Sequence, residues 1–208
     1  VLEKQNIETQ MEYLKYQINP HFFMNTLNNI HALIDIDTEA AQRSVIELSK
    51  MMRYVLYDSD NATIDIVSEV RFIENYIALM KIRYTEDIDV RLDVQNPLSS
   101  SVKIPPLLMI VPVENAFKHG VSYNKHSYVH ISIVCSAEFV ECRVVNSRHN
   151  EQQGDKRASG LGLENMKKRL DLLFADSYQL TIDDSSEQKY EITLKIPVNN
   201  DQMHSNRR

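Results

Sequence analysis

None of the first 119 residues is glycine, and all four glycines, Gly120, Gly154, Gly160 and Gly162, fall between positions 120 and 162. Glycine supplies backbone conformations and close approaches that other residues resist. The distribution therefore assigns the first half to regular elements and places unusual backbone geometry in the second. Apolar spacing in the first half is helical. Ile7, Met11, Leu14 and Ile18 step by four, three and four, the seam of a coiled coil entering from upstream. Pro20 interrupts that seam and must start, kink or break a helix. Phe23, Leu27, Ile30 and Ile34 then form one stripe, and Ala41, Val45, Leu48, Met52 and Val55 another, separated by the acidic turn Asp35-Ile36-Asp37-Thr38. Two such stripes predict an antiparallel hairpin, and covering both predicts a dimeric four-helix bundle.

A third stripe, Val70, Ile73, Ile77, Met80 and Tyr84, follows the polar stretch Asp58 to Thr63, which marks the expected domain boundary. Beyond it the period changes to two, at Val90, Leu92 and Val94, over 129–134, over 140–145, and at Ile192, Leu194 and Ile196. Helical segments are expected over 107–119 and 163–174, and Ser136-Ala137-Glu138 links two strands as a hairpin. The fold class expected is α+β: a helical hairpin followed by an α/β sandwich, with helices on one face of a mixed sheet. The predicted division is 1–59 for the coiled-coil entry and hairpin, 60–198 for the sandwich, and 199–208 for a disordered polar tail.

Charge narrows the function. With 29 acidic against 23 basic residues the formal charge is −6, so no direct nucleic-acid partner is expected, and a phosphate-bearing ligand needs a local device. The apolar run from Ile104 to Val113 has ten residues, prolines among them, well short of the roughly 20 that span a bilayer. Cys135 and Cys142 are expected as reduced residues of neighbouring strands in a cytosolic chain. A start at Val1 without a signal-peptide pattern reads as a fragment of a longer protein.

Three segments could carry chemistry. In the first, running from Asn19 to Asn28, a helix starting at Pro20 spaces His21, Asn25 and Asn28 at i, i+4 and i+7, away from the Phe23 stripe. A neutral, accessible imidazole there could attack phosphorus. If instead the upstream heptad continues in phase through the proline, His21 and Asn25 fall inside the seam as a buried register device, and spacing leaves both possibilities open. The second segment, Pro105 to Gly120, gathers Glu114, Asn115, Lys118 and His119 in the last turns of an apolar helix. Asn115 offers an oxygen to Mg²⁺ and Lys118 a cation to phosphate. The same pattern also suits a plain helix end, with Lys118 and His119 complementing the dipole and Gly120 just past the terminus. In the third, Gly160-Leu161-Gly162-Leu163 precedes a helical run, so its amides could face an anion at a helix start, after a polar loop from Arg148 to Ala158.

In this order the segments resemble the LytS/YehU-type sensor histidine kinases from about Met11 to Val198. Gln17-Ile18-Asn19-Pro20-His21-Phe22 is similar to that family's phospho-acceptor box. Val113-Glu114-Asn115-Ala116-Phe117-Lys118-His119-Gly120 is similar to its Asn box, and the segment from Gly160 through Asn165 to Leu170 to its second glycine box. The resemblance implies a dimerising hairpin joined to a Bergerat (GHKL) ATP-binding sandwich, in the cytoplasmic portion of an inner-membrane protein whose sensor domain lies upstream. It implies that His21 accepts the γ-phosphoryl group of ATP and passes it to an aspartate of a response regulator, usually of the LytTR type. It further implies that Asn115 holds Mg²⁺, that Lys118 and His119 lie near the phosphates, and that the backbone of Gly160, Leu161, Gly162 and Leu163 cradles them.

The chain departs from that pattern in places. Where Bergerat sites carry Asp-x-Gly-x-Gly, this sequence has Val145-Asn146-Ser147-Arg148, so a neutral Asn146 would have to accept the adenine hydrogen bond through its side-chain oxygen. Pro112 stands one position later than in the family pattern. Val111 occupies the position where water-attacking relatives place a glutamate base, which disfavours a plain ATP hydrolase. His21 is followed by Phe22 rather than an acidic residue, leaving Glu114 as the candidate base. The alternative expectation is a degenerate scaffold that dimerises and relays motion without kinase activity.

Overall fold

A computed structural model of the chain describes residues 20–84, 88–95, 102–122, 124–149 and 156–198, with side chains from 22 onward in the first helix and from 162 onward in the last. The expected coiled-coil entry before Pro20, residues 150–155 of the expected loop, and the tail 199–208 lie outside these residues.

Helix α1 (Pro20–Leu33) and helix α2 (Thr38–Leu56) form the expected hairpin. Asp37 caps α2 by accepting from the Ala40 amide at 2.9 Å, which satisfies a donor that the helix start would otherwise orphan. The buried faces are rotated from the expected stripes. Thr26 and Ile30 are buried on α1, and Ala41, Ser44, Leu48, Met51 and Tyr54 on α2. Leu27, Ile34, Val45 and Met52, four members of the expected stripes, remain exposed. The sequence shows that a helix is apolar on a broad arc, but not which part of that arc faces its own chain.

A two-residue strand β1 (Ile64–Asp65) leads into α3 (Ile66–Arg83), which packs on α2 with the Tyr54 and Phe72 rings stacked at 4.5 Å. The five-stranded sheet comprises β2 (Ile88–Gln95), β4 (Ser127–Cys135), β5 (Phe139–Ser147), β6 (Gln179–Asp183) and β7 (Lys189–Pro197), in the order β2-β4-β5-β7-β6. The β2–β4 pair is parallel and the others antiparallel, so the sheet is mixed. A separate short strand, β3 (Lys103–Ile104), pairs with β1. Register lines up one apolar row across all five strands, Val94–Ile133–Cys142–Leu194–Leu180. That face meets α4 (Ile110–Gly120) through Val113, Ala116 and Phe117, and α5 (Lys156–Phe174) through Met166, Leu170 and Phe174. Alternation along β4 is complete, with Val129, Ile131, Ile133 and Cys135 inward, as period-two patterning requires. Cys135 and Cys142 are buried thiols on these neighbouring strands. The architecture is the expected α+β arrangement of a helical hairpin and a sandwich. Among the described residues no helix is long and apolar enough to cross a membrane.

Candidate functional site

Helix α4 is central to the site and is held at both ends. Pro112 lies in its first turn, where a missing N–H costs nothing because that amide has no intrahelical acceptor. The preceding turn is strained: Leu107 is buried and adopts φ 61°, a left-handed conformation that costs a non-glycine residue about 1–3 kcal/mol. A carboxylate from another helix compensates. Glu69 of α3, fully buried, accepts hydrogen bonds from the Leu107 amide at 2.9 Å, from the Met109 amide at 3.3 Å and from the Tyr54 hydroxyl. Arg169 of α5 donates to the Pro106 carbonyl at 2.7 Å, holding the same turn. Burial pushes the Glu69 carboxyl above the usual carboxylate range, while the three hydrogen bonds and the nearby Arg169 guanidinium pull it back. The Tyr54 phenol is pushed up by burial and by Glu69, which keeps it a donor.

At the other end of α4, Gly120 is the last helical residue rather than the residue past the terminus, and it has no positive φ. It is needed for close approach. A Cβ there would lie 2.5 Å from Asn146 Nδ2 and 2.6 Å from Asn146 Cβ. Ser147 Oγ donates to the Gly120 carbonyl at 2.6 Å, joining the end of β5 to the end of α4. Asn146 is buried and donates its Nδ2 to the Ser147 carbonyl at 2.8 Å, so the side-chain oxygen is the acceptor left over.

Of the predicted cluster on α4, Glu114, Asn115 and His119 are half-buried and Lys118 is exposed. Burial raises the Glu114 carboxyl, with Lys118 pulling it down. The Asn115 Nδ2 is buried and has no hydrogen-bond partner among the described residues. An orphaned buried amide of this kind is a costly feature that a polar ligand can relieve. The glycine segment differs from expectation. Helix α5 begins at Lys156, so Gly160, Leu161, Gly162 and Leu163 sit inside its first two turns rather than ahead of it, and 156–158 are helical rather than loop. Inside a helix the amides of these four residues serve the backbone ladder, leaving the orphan donors four residues earlier. Lys156, Arg157 and Ala158 are good helix formers, which explains the early start. A Cβ on Gly162 would sit 3.9 Å from Val111 Cγ1, so the fold does bring the glycine segment against the first turn of α4.

His21 lies in the first turn of α1, and its side chain is outside the description. Asn28 is exposed and Asn25 half-buried. A ring chain leads from this turn toward α4, with Phe22 5.1 Å from Tyr76 and Tyr76 5.7 Å from Phe117. Burial, followed by the Glu114 charge, raises the Tyr76 phenol well above its ordinary value, so Glu114 lies near that chain. The structure thus groups Glu114, Asn115, Lys118, His119, Asn146 and Gly162 around α4 and leaves His21 on a separate element. Among the described residues no group of three His, Cys, Asp or Glu side chains could hold a metal ion. Sequence reasoning missed the Tyr54–Glu69–Arg169 cluster, although a signal existed: Glu69 lies between Ile66 and Ile73 at helical spacing, a charge inside an apolar stripe.

A family model described as histidine kinase matches residues 9–88. Sensor protein LytS of Staphylococcus saprophyticus is 30% identical over 208 residues, covering 93% of this chain and 34% of that protein. Sensor protein LytS of Streptococcus mutans is 30% identical over 200 residues, covering 90% of this chain and 34% of that protein. Over nine-tenths of its own length the chain is similar to LytS-type histidine kinases. It spans about a third of the length of these LytS relatives. Among solved structures, the histidine kinase domain of the Erythrobacter litoralis EL346 blue-light activated histidine kinase is 17% identical, with a TM-score of 0.48, covering 93% of this chain and 96% of that one.

Proposed function

We propose that this LytS-type chain transfers the γ-phosphoryl group of ATP to His21 and then to an aspartate of a response regulator, working as a homodimer. The observation that carries this is the cluster around α4: the Asn115 amide without a partner among the described residues, the acceptor oxygen of Asn146, and Gly162 facing Val111. In the first step a P–O bond to the leaving ADP breaks and an N–P bond to the imidazole forms. The imidazole gives up a proton, for which Glu114, with its carboxyl raised by burial, is the candidate acceptor. Asn146 would take the adenine amino group on its side-chain oxygen, and Lys118 and His119 would lie against the phosphates. The backbone from Gly160 to Leu163 would cradle those phosphates once the first turns of α5 open. Asn115 would hold Mg²⁺ through its side-chain oxygen, and the ion would supply charge neutralisation at the phosphates when bound. Few residues need unusual chemistry, because such transfer is mostly positioning and electrostatics.

Exposed Met24, Leu27, Ile34, Val45, Ile46, Met52 and Leu56 on the hairpin support its pairing with a second copy as a four-helix bundle. The division at residues 59 and 60, a LytTR-type regulator, an upstream membrane-bound sensor domain and a cytoplasmic location belong to the same proposal. One observation favours the scaffold alternative: the helical state of Gly160 and Gly162 withholds the amides that would meet phosphate. Incubation with γ-labelled ATP and Mg²⁺ should give acid-labile, base-stable label that disappears in His21→Ala, and label persisting in that variant rejects the acceptor. Calorimetry with an ATP analogue should show Mg²⁺-dependent binding that Asn115→Ala weakens; no binding by the wild type leaves the scaffold.

A further inference from the structure

Four elements converge on one buried carboxylate. Glu69 (α3) takes the Tyr54 hydroxyl from α2 on Oε2, the same oxygen that accepts from Leu107, and takes Met109 on Oε1. Arg169 (α5) completes the ring through the Pro106 carbonyl. Helix α2 belongs to the hairpin that bears His21, and the turn 105–109 sets where α4 begins. None of the three side chains, Glu69, Tyr54 and Arg169, has a role in the transfer step itself. The Tyr54 contact is also distinct from packing: its ring is already stacked on Phe72, so the hydroxyl adds a directional bond to the turn rather than filling space.

We propose that Glu69 is a positioning residue that ties the hairpin, through Tyr54, to the turn that starts α4, and so holds the His21 stalk and the nucleotide cluster in a set relation. This rests on the phosphotransfer function proposed above. A turn held by both Glu69 and Arg169 has little freedom to drift, and α4 begins immediately after it. Displacing α4 by a fraction of a turn would move Glu114 and Asn115 together, with no change in their own chemistry.

Tyr54→Phe is the incisive variant, because it keeps the ring stack and deletes only the tie, whereas Glu69→Gln also disturbs the turn and can fail to fold. At saturating ATP, Tyr54→Phe should label His21 about tenfold more slowly, with KM for ATP within about twofold of wild type, since misplacement far from the chemistry costs rate rather than binding. Glu69→Gln, where it folds, should lose rate and also bind ATP more weakly. A lowered melting temperature in Tyr54→Phe with a wild-type rate at saturation would show a merely structural bond and overturn the proposal. A wild-type chain that takes no label refutes the phosphotransfer function instead. The tie is then decided by amide exchange without nucleotide: faster exchange at 107 and 109 in Tyr54→Phe supports it, and unchanged exchange overturns it.

Discussion

Replacing Gly120 by alanine sets two effects against each other. Alanine in a helix is favoured over glycine by up to about 1 kcal/mol, and Gly120 has ordinary helical backbone geometry, so propensity alone predicts a gain. Packing predicts the reverse. The added Cβ would meet Asn146 at Nδ2 (2.5 Å), Cβ (2.6 Å) and Cγ (2.8 Å). A rotamer change can move Nδ2, but Cβ is fixed to the strand, so α4 and β5 must separate by roughly 1 Å to restore an ordinary contact. Overpacking of this kind costs about 1–3 kcal/mol. The 2.6 Å bond from Ser147 Oγ to the Gly120 carbonyl crosses the same gap and would weaken, costing about 1 kcal/mol more. The net expectation is a destabilisation of about 1–3 kcal/mol, read as a lower urea midpoint at unchanged slope. Asn146→Gly removes the opposing Cβ and should rescue: the double variant should be more stable than the sum of the single effects by about 1–2 kcal/mol. A neutral or stabilised Gly120→Ala, or strict additivity in the cycle, would refute the close approach. Because Asn146 is the candidate adenine acceptor, the destabilised variant should also bind ATP analogue more weakly, and Asn146→Gly should not restore that binding.

Gly162 should behave in the opposite way: its new Cβ would meet Val111 at an ordinary 3.9 Å, so Gly162→Ala should stabilise α5 by about 1 kcal/mol in thermal unfolding. If the first turns of α5 open to meet phosphate, calorimetry should show the same ~1 kcal/mol lost from ATP-analogue affinity, about fivefold; stabilisation with unchanged affinity would mean the helix stays closed around nucleotide. Glu114→Gln tests the raised carboxyl. Its stabilising contribution is fully present below the ordinary carboxylate pKa and is lost as pH rises through the raised folded value, so the variant should gain on wild type across that window. Glu69 shifts in the same direction but is common to both proteins and cancels, and parallel stability–pH curves from urea melts would contradict the burial of Glu114.

What the sequence made legible was local and periodic. The alternation of Val129, Ile131, Ile133 and Cys135 specifies β4 because one face of the strand must be dry, and the observed burial follows it residue by residue. The acidic turn between the hairpin helices works because Asp37 serves as a cap. Strand β6 went unread because it has two apolar residues, Leu180 and Ile182, and lies at the sheet edge with Ile182 exposed. Gly120 showed that something special happens at the end of α4. That the reason is Asn146, 26 positions away, depends on how β5 docks against the helix, which no local pattern encodes. The start of α5 differs for a related reason: glycines lower helix propensity by only about 1 kcal/mol each, which neighbouring helix formers can offset.

The two ends of α4 make sense together. A functional helix that presents Asn115 with a buried amide lacking a partner among the described residues, and Glu114 with a carboxyl raised by burial, carries costly polar groups that would favour rotating or fraying it. At its start, the two amide bonds to the Glu69 carboxyl, each contributing about 1 kcal/mol, offset a left-handed Leu107 that costs about 1–3 kcal/mol. At its end the Ser147 bond and the seat of Asn146 on Gly120 leave no room for the helix to slide along the sheet. The polar groups in the middle persist because both termini are pinned by residues from other elements, and weakening either end should therefore be felt first at Asn115.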